Sequence, residues 1–165
     1  MKRKILTYPN DIEILSLKSQ EVTDLKDETF KQLVQDLKDT LHNTKSGCGI
    51  SAIQIGVPKK VCIIHYNGKD IALINPQITR RSEDKVLFRE GCLSAPDFYS
   101  IVERNKKVWV TYIDENGVQK TIDQGGLFSI IVQHELDHFD GWCKVFDEIP
   151  VAAEKEKEEK WKLFS

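Results

Sequence analysis

No apolar run follows the basic start MKRKILTYPNDIEIL, so the N-terminus reads as neither a secretory signal nor a membrane span. No basic stripe dominates either half, and the formal charge is −2 at pH 7, which removes the electrostatic case for sequence-specific nucleic-acid binding. No internal repeat and no Pro/Ser-rich linker divides the 165 residues, so a single domain over 1–165 is expected, long enough to bury a sizeable core. Methionine is confined to position 1, which excludes any motif needing an internal one. Cysteines at 48, 62, 92 and 143, in a chain without a leader, fit a reducing compartment better than a disulfide scaffold, and cytoplasmic residence is the corresponding expectation.

What remains is a globular mix, 40% hydrophobic and 30% charged. DETFKQLVQDLKDTLHNTKSG carries Phe30, Leu33, Val34, Leu37 and Leu41 at helical spacing, with Asp27 to cap the start and Gly47 to stop the end: an amphipathic helix. VCIIHYNGKDIALIN sets two apolar runs around Asn67-Gly68, a hairpin signal because a type I′ turn needs positive φ at both central residues. VWVTYIDENGVQKTI repeats the device at Asn116-Gly117, and TRRSEDKVLFREGCLSAPDFYSIVER between them reads as mixed strand and loop. LFSIIVQHELDHF is apolar nearly all round and implies a buried helix. VAAEKEKEEKWKLF reads as a polar C-terminal helix over about 151–165, with Val151, Trp161 and Leu163 as docking points. The order defines an α+β fold, antiparallel strands around the buried helix.

That buried helix carries QHELDH, residues 133 to 138. His134 and His138 lie one turn apart on one face and can grip a metal, with the Glu135 carboxylate between them. Burying these groups is costly without partners, and a metal offsets the cost by taking a lone pair from each ring; Asp137 and Asp140 are candidates to orient the remaining ring N–H groups. Three protein ligands is the common catalytic number, so a third is needed. One family of zinc peptidases continues as H-E-x-x-H-x-x-G-x-x-H with a Met-turn; Gly141 fits, but the last position is Lys144 and the methionine is missing. A tail glutamate, from 154, 156, 158 or 159, stays open and would make a small metallopeptidase. Among the cysteines, Cys62 sits in an apolar strand as a small hydrophobe. Cys143 follows the helix too closely to fold back readily onto its histidines. Cys92, in EGCLSAP, is the better candidate, because glycine, small residues and proline open the backbone there.

Three boxes, GCGISAIQIG (47–56), EGCLS (90–94) and QHELDH (133–138), stand in the order and at separations similar to those of peptide deformylase, and the chain resembles that family over nearly its whole length. The opening ILTYPNDIEILSLKSQEV looks like the family's N-terminal strand and turn, and the helical tail resembles the bacterial type 1 subgroup. The resemblance implies Cys92, His134 and His138 as metal ligands and Glu135 as general base. It implies Gln54 and the Leu93 N–H as donors to the substrate carbonyl oxygen, and Gly49 as a backbone contact. It implies a methionine pocket lined by Cys48, Phe88, Leu127, Ile130 and Ile131, with Glu90 and Arg104 as a supporting ion pair. The implied reaction removes the formyl group of formyl-methionyl nascent peptides, with Fe²⁺ as the physiological metal and Zn²⁺, Ni²⁺ or Co²⁺ as substitutes. It also suggests the tail as a ribosome contact, although four lysines against four glutamates after Ala153 are not a basic element.

Three positions depart from the family's common pattern. Ser51 stands where alanine is frequent, Tyr99 where an arginine often touches the peptide backbone, and Phe88 is bulkier than the usual aliphatic residue. A reshaped methionine pocket is the expectation. A non-catalytic metal- or ribosome-binding homologue is the remaining alternative, and an intact Glu135 and Gln54 argue against it. His42 and His65 are expected to be structural, and Trp109, Trp142 and Trp161 to be packing residues.

Overall fold

The computed structural model describes residues 1–148. The tail helix expected over 151–165, with Val151, Trp161, Leu163 and the four tail glutamates, lies outside the described residues. The elements are α1 (Ile12–Leu15), α2 (Glu28–His42), β1 (Gly49–Ser51), β2 (Val61–Tyr66), β3 (Lys69–Arg81), β4 (Lys85–Cys92), β5 (Ala95–Asn105), β6 (Lys107–Ile113), β7 (Gln119–Gly125) and α3 (Gly126–Asp137). Short 3-10 turns occupy Ala52–Ile55, His138–Asp140 and Lys144–Glu148. The architecture is the expected α+β. An antiparallel sheet runs in the order β1-β2-β3-β6-β7, and β4-β5 form a separate hairpin. No described helix is long and apolar enough to cross a membrane.

The strand VCII is apolar at every position because the sheet is covered on both faces. Val61, Ile63, Ala72 and Ile74 pack under α2 with Phe30, Val34, Leu37 and Leu41. The alternate residues Cys62, Ile64 and Leu73 pack on the other face against Phe128 and Val132 of α3. Helix α2 starts where expected, with the Asp27 carboxylate accepting from Thr29 N at 2.9 Å. It ends at His42, short of Gly47. There the Thr44 hydroxyl bonds the Leu41 carbonyl and accepts from Gly47 N, and such local side-chain bonds compete with further helix.

The Asn67-Gly68 hairpin forms as expected, with φ of 50° and 71° at its two central residues. The second turn differs. It runs from Asp114 to Val118, because the Asp114 carboxylate takes the N–H groups of Asn116 and Val118, both at 2.9 Å, and widens the loop. The opening segment contributes no named strand. It docks instead through Leu6 N to the Gln54 carbonyl and Tyr8 N to the Ser94 carbonyl, each 2.8 Å, tying the N-terminus to two of the three boxes.

The stretch expected as mixed strand and loop is the long hairpin β4-β5, paired from Lys85↔Asn105 to Gly91↔Tyr99. A register shift between Gly91 and Cys92 tightens its end into a turn at Leu93-Ser94. Ser100, Val102 and Arg104 point inward at alternate positions while Tyr99 and Ile101 face out. Gln133 of α3 clasps the hairpin's base, accepting from Asn105 N at 3.1 Å and donating to Asn105 O at 2.9 Å. The helix and hairpin that carry the second and third boxes are thereby held in register.

Candidate metal centre and active site

Helix α3 is buried from Phe128 to Glu135, so its imidazoles enter the core rather than solvent. His134 lies in its last turn and His138 opens the 3-10 turn beyond it, with ring centroids 5.4 Å apart. The end of β4 brings Cys92 Sγ to 3.4 Å from His138 Nε2. One donor atom from each of Cys92, His134, His138 and Cys143 falls within 4.8 Å of all the others, and all four residues are buried. His138 Nδ1 is buried with no hydrogen-bond partner among the described residues. Burying that many basic and thiol groups together is unfavourable unless a cation takes their lone pairs. The donor set, imidazole nitrogen and thiol sulfur, suits ferrous iron or zinc. The site fits a metal.

Cys143 corrects the sequence reading. It does fold back, reaching 3.6 Å from His134 Nε2 and 3.8 Å from Nδ1. Gly141 makes the reversal, with φ of 84° and no room for a Cβ against the Ser16 backbone. A glycine directly after the histidine turn was the available signal. In this site burial pushes the Cys143 thiol up to about 11.

The ring partners also differ from expectation. His134 Nδ1 meets Glu90 Oε2 at 2.8 Å, which leaves Nε2 to face the donors. Asp137 instead accepts from Arg104 Nη1 at 2.7 Å, because it sits round the helix from His134, toward β5. Asp140 makes no ring contact among the described residues. Arg104 completes the expected pair, donating from Nε and Nη2 to the two Glu90 oxygens at 2.7 and 2.9 Å. Burial works to raise the Glu90 carboxyl, but the bonds from Arg104 and His134 outweigh it and hold it below the ordinary glutamate value. Glu90 is therefore a buried carboxylate that orients the His134 imidazole.

Glu135 is buried beside the donors, and Ser51 Oγ donates to its Oε2 at 2.7 Å. The Glu135 carboxylate occupies the space where a Cβ on Gly49 would sit, so only glycine leaves it room. In the sequence Ser51 stood out only as a serine where alanine is frequent; here it touches the candidate base. Gln54, on the 3-10 turn after β1, accepts from Ser51 N at 2.8 Å through Oε1. Its amide nitrogen consequently points at the site, 3.1 Å from Ser94 Oγ and 3.6 Å from Cys92 Sγ.

A cavity of about 480 Å³ opens over these groups, a size that suits a small-molecule or peptide-end ligand. Cys48, Gly49, Phe88, Leu127, Ile130 and Ile131 all line it, together with Gln54, Leu93, Cys92, His134 and Glu135. His138 and Cys143 are not among its lining residues. Tyr99 lines the wall, and the Arg89 guanidinium stacks 4.6 Å over its ring. An arginine absent at position 99 is thus supplied to the same wall from the neighbouring strand.

A buried cysteine-histidine donor set beside a carboxylate, with one open cavity, defines a metal-dependent hydrolase. The profile of the family described as Polypeptide deformylase matches residues 2–152. A peptide deformylase of Aquifex aeolicus is 40% identical over 147 residues, covering 86% of this chain and 84% of that protein. The crystal structure of a peptide deformylase from Legionella pneumophila is 32% identical, covers 99% of this chain and 97% of its own, and superposes with a TM-score of 0.83. That of a Synechococcus elongatus peptide deformylase in complex with actinonin has a TM-score of 0.82 at 29% identity, over 99% of this chain and 87% of its own. The chain belongs to the polypeptide deformylase family. Its activity is hydrolytic removal of the N-terminal formyl group from formylated nascent peptides, with release of formate.

Proposed function

We propose that Glu135, Gln54 and the Leu93 N–H carry out this deformylation, with Cys92, His134 and His138 holding the ion. The observation that carries the reading is convergence: Cys92, His134, the buried Glu135 carboxylate and the inward-turned Gln54 amide meet at one cavity wall, and His138 lies in the same donor cluster. A divalent ion held there supplies Lewis acidity, activating water and polarising the formyl carbonyl. Glu135 takes the proton from the attacking water at its carboxylate and returns it to the leaving amine. Gln54 Nε2 and the Leu93 N–H donate to the formyl oxygen as charge builds on it, each worth about 3–4 kcal/mol in comparable sites. Ser51 holds the Glu135 carboxylate over Gly49, so the base does not rotate away between turnovers.

The ion of this reading is Fe²⁺, since thiolate ligation softens the site, with Zn²⁺, Ni²⁺ or Co²⁺ able to replace it. Four free cysteines fit a reducing cytoplasm. The substrate side chain is methionine, in a pocket narrowed by Phe88, and Arg89 stacked on Tyr99 binds the peptide backbone. Ribosome contact through the tail rests on residues outside those described.

The decisive experiment is formate release from formyl-Met-Ala-Ser by protein purified without oxygen in ferrous iron, beside a chelated sample and Glu135→Gln. Release that needs metal and is lost in a Glu135→Gln protein still holding its metal is the expected outcome. Strong turnover by metallated Glu135→Gln would remove Glu135 as the base. Comparable kcat/KM for formyl-Met and formyl-Leu peptides would mean the pocket is reshaped, and a clear Met preference would mean Phe88 is accommodated.

A further inference from the structure

We propose that the outward face of the β4-β5 hairpin holds the substrate chain beyond its third residue, and that it selects apolar side chains there. The proposal rests on the deformylase reading, which makes an extended peptide the molecule that leaves this cavity. An antiparallel pair that is wet on one side normally turns polar residues outward. This face breaks the rule: Leu87, Tyr99 and Ile101 all point out and are 68%, 55% and 54% exposed. The pairing joins them into one stripe. Gly91 stands opposite Tyr99, Arg89 opposite Ile101, and Leu87 is the diagonal neighbour of Ile101. Tyr99 lies across Gly91, where an added Cβ would come within 2.9 Å of its ring, and Arg89 stacks on that ring. Past Leu87 the face closes with Lys85 bonded to Glu103 at 2.6 Å.

Singly scattered exposed apolar residues are ordinary, but a contiguous stripe marks a contact. Continuity says what occupies this one. Tyr99 and Arg89 belong both to the cavity lining and to the outward face, so the stripe is the cavity wall carried on past the mouth. From Gly91 to Leu87 it runs about 13 Å at 3.3 Å per residue, the reach of about four residues of extended chain. A second copy of this chain fits less well. Three partly exposed side chains offer on the order of 300 Å², against about 800 Å² from each partner in a stable interface. A nascent peptide needs no such area, because it is already held at its formylated end. Arg89 keeps its backbone at the exit, and apolar side chains past the third residue settle on Ile101 and Leu87.

The test compares kcat/KM for formate release from formyl-Met-Ala-Ser, from the same peptide extended by Leu-Leu-Leu-Leu-Lys-Lys, and from one extended by Gly-Ser-Gly-Ser-Lys-Lys. The full chain is used in its ferrous form, beside the double variant Leu87→Thr/Ile101→Thr, whose residues stay β-compatible and touch no catalytic group. The leucine extension should raise kcat/KM about tenfold over the Gly-Ser one, the scale of one partly buried aliphatic side chain. The double variant should lose that gain and keep its rate on formyl-Met-Ala-Ser. Equal rates on the two extended peptides, or a leucine advantage that survives the double variant, overturn the proposal. So does a dimer in sedimentation that the double variant converts to monomer, which would make the stripe a contact between copies. Binding of dye-labelled extended peptides to metallated Glu135→Gln, read by fluorescence anisotropy, separates the two readings. Tighter leucine binding, lost with Leu87→Thr/Ile101→Thr, keeps the stripe even if no peptide is turned over, and turnover without it keeps only the deformylase.

Discussion

Two places in this chain bring two imidazoles and a carboxylate together. At the edge of the fold, His42 of α2 and His65 of β2 each bond one oxygen of Asp70, both at 2.7 Å, with their rings edge to face. In the core, His134 bonds Glu90, His138 meets a thiol, and Glu90 is itself held by Arg104. The surface group is closed on itself: one carboxylate satisfies two rings and water reaches all three. The core group is not closed in this way, because its imidazole nitrogens and thiol sulfurs crowd within 4.8 Å of one another and His138 Nδ1 has no hydrogen-bond partner among the described residues. Residue type is shared; what separates a hydrogen-bonded cluster from a metal centre is where the lone pairs point and how far water is excluded.

Breaking the core group should have the largest effect. Cys92→Ala or His138→Ala should lose the metal on dialysis and lower activity by more than about a hundredfold, measured as metal content per chain and formate release. Arg104→Met comes next. It leaves Glu90 buried without its main partner, and Arg104 and Glu90 are 2% and 4% exposed, so about 3–5 kcal/mol of stability should be lost in urea unfolding.

Ser51→Ala sharpens the comparison more gently, since it frees a carboxylate without uncovering a charge. It should lower kcat roughly tenfold with KM nearly unchanged, the equivalent of about 1.5 kcal/mol for a hydrogen bond to a charged group. An unchanged kcat would mean that Gly49 and the helix alone hold Glu135 in place.

The surface group should respond least. His42→Ala or Asp70→Asn should cost under about 1 kcal/mol and leave the metal content unaltered. Burial works against the Asp70 charge, but bonds from His65 and His42 outweigh it and hold its pKa below the ordinary aspartate value. Its contribution is therefore complete above that ordinary value and is lost as the pH falls through the folded one. Asp70→Asn should flatten this acid limb of the stability curve, and an unchanged limb would place the titration elsewhere.

Helix α2, the Asn67-Gly68 hairpin and the buried character of α3 were legible in the chain because periodicity, a cap and a turn pair act over a few residues. The three boxes were legible as a set, and the side chains they contain do meet in space. Less was legible where partners are far apart. Nothing near Ser51 announces Glu135, 84 residues away, and nothing near His134 singles out Glu90, 44 residues away, over Asp137.

By itself, then, the sequence determined helix α2, the buried helix α3, the first hairpin and the residue types that line the cavity, all encoded by spacing and local chemistry. Tertiary structure alone decided the ring's carboxylate partner, the hydroxyl on Glu135, the arginine laid over Tyr99 and the return of Cys143 to His134. The ring partner depends on how α3 packs on the β4-β5 hairpin, the hydroxyl on how it packs on β1, the arginine on the hairpin's register and the return of Cys143 on one positive φ at Gly141, and such geometry has no period along the chain to be read.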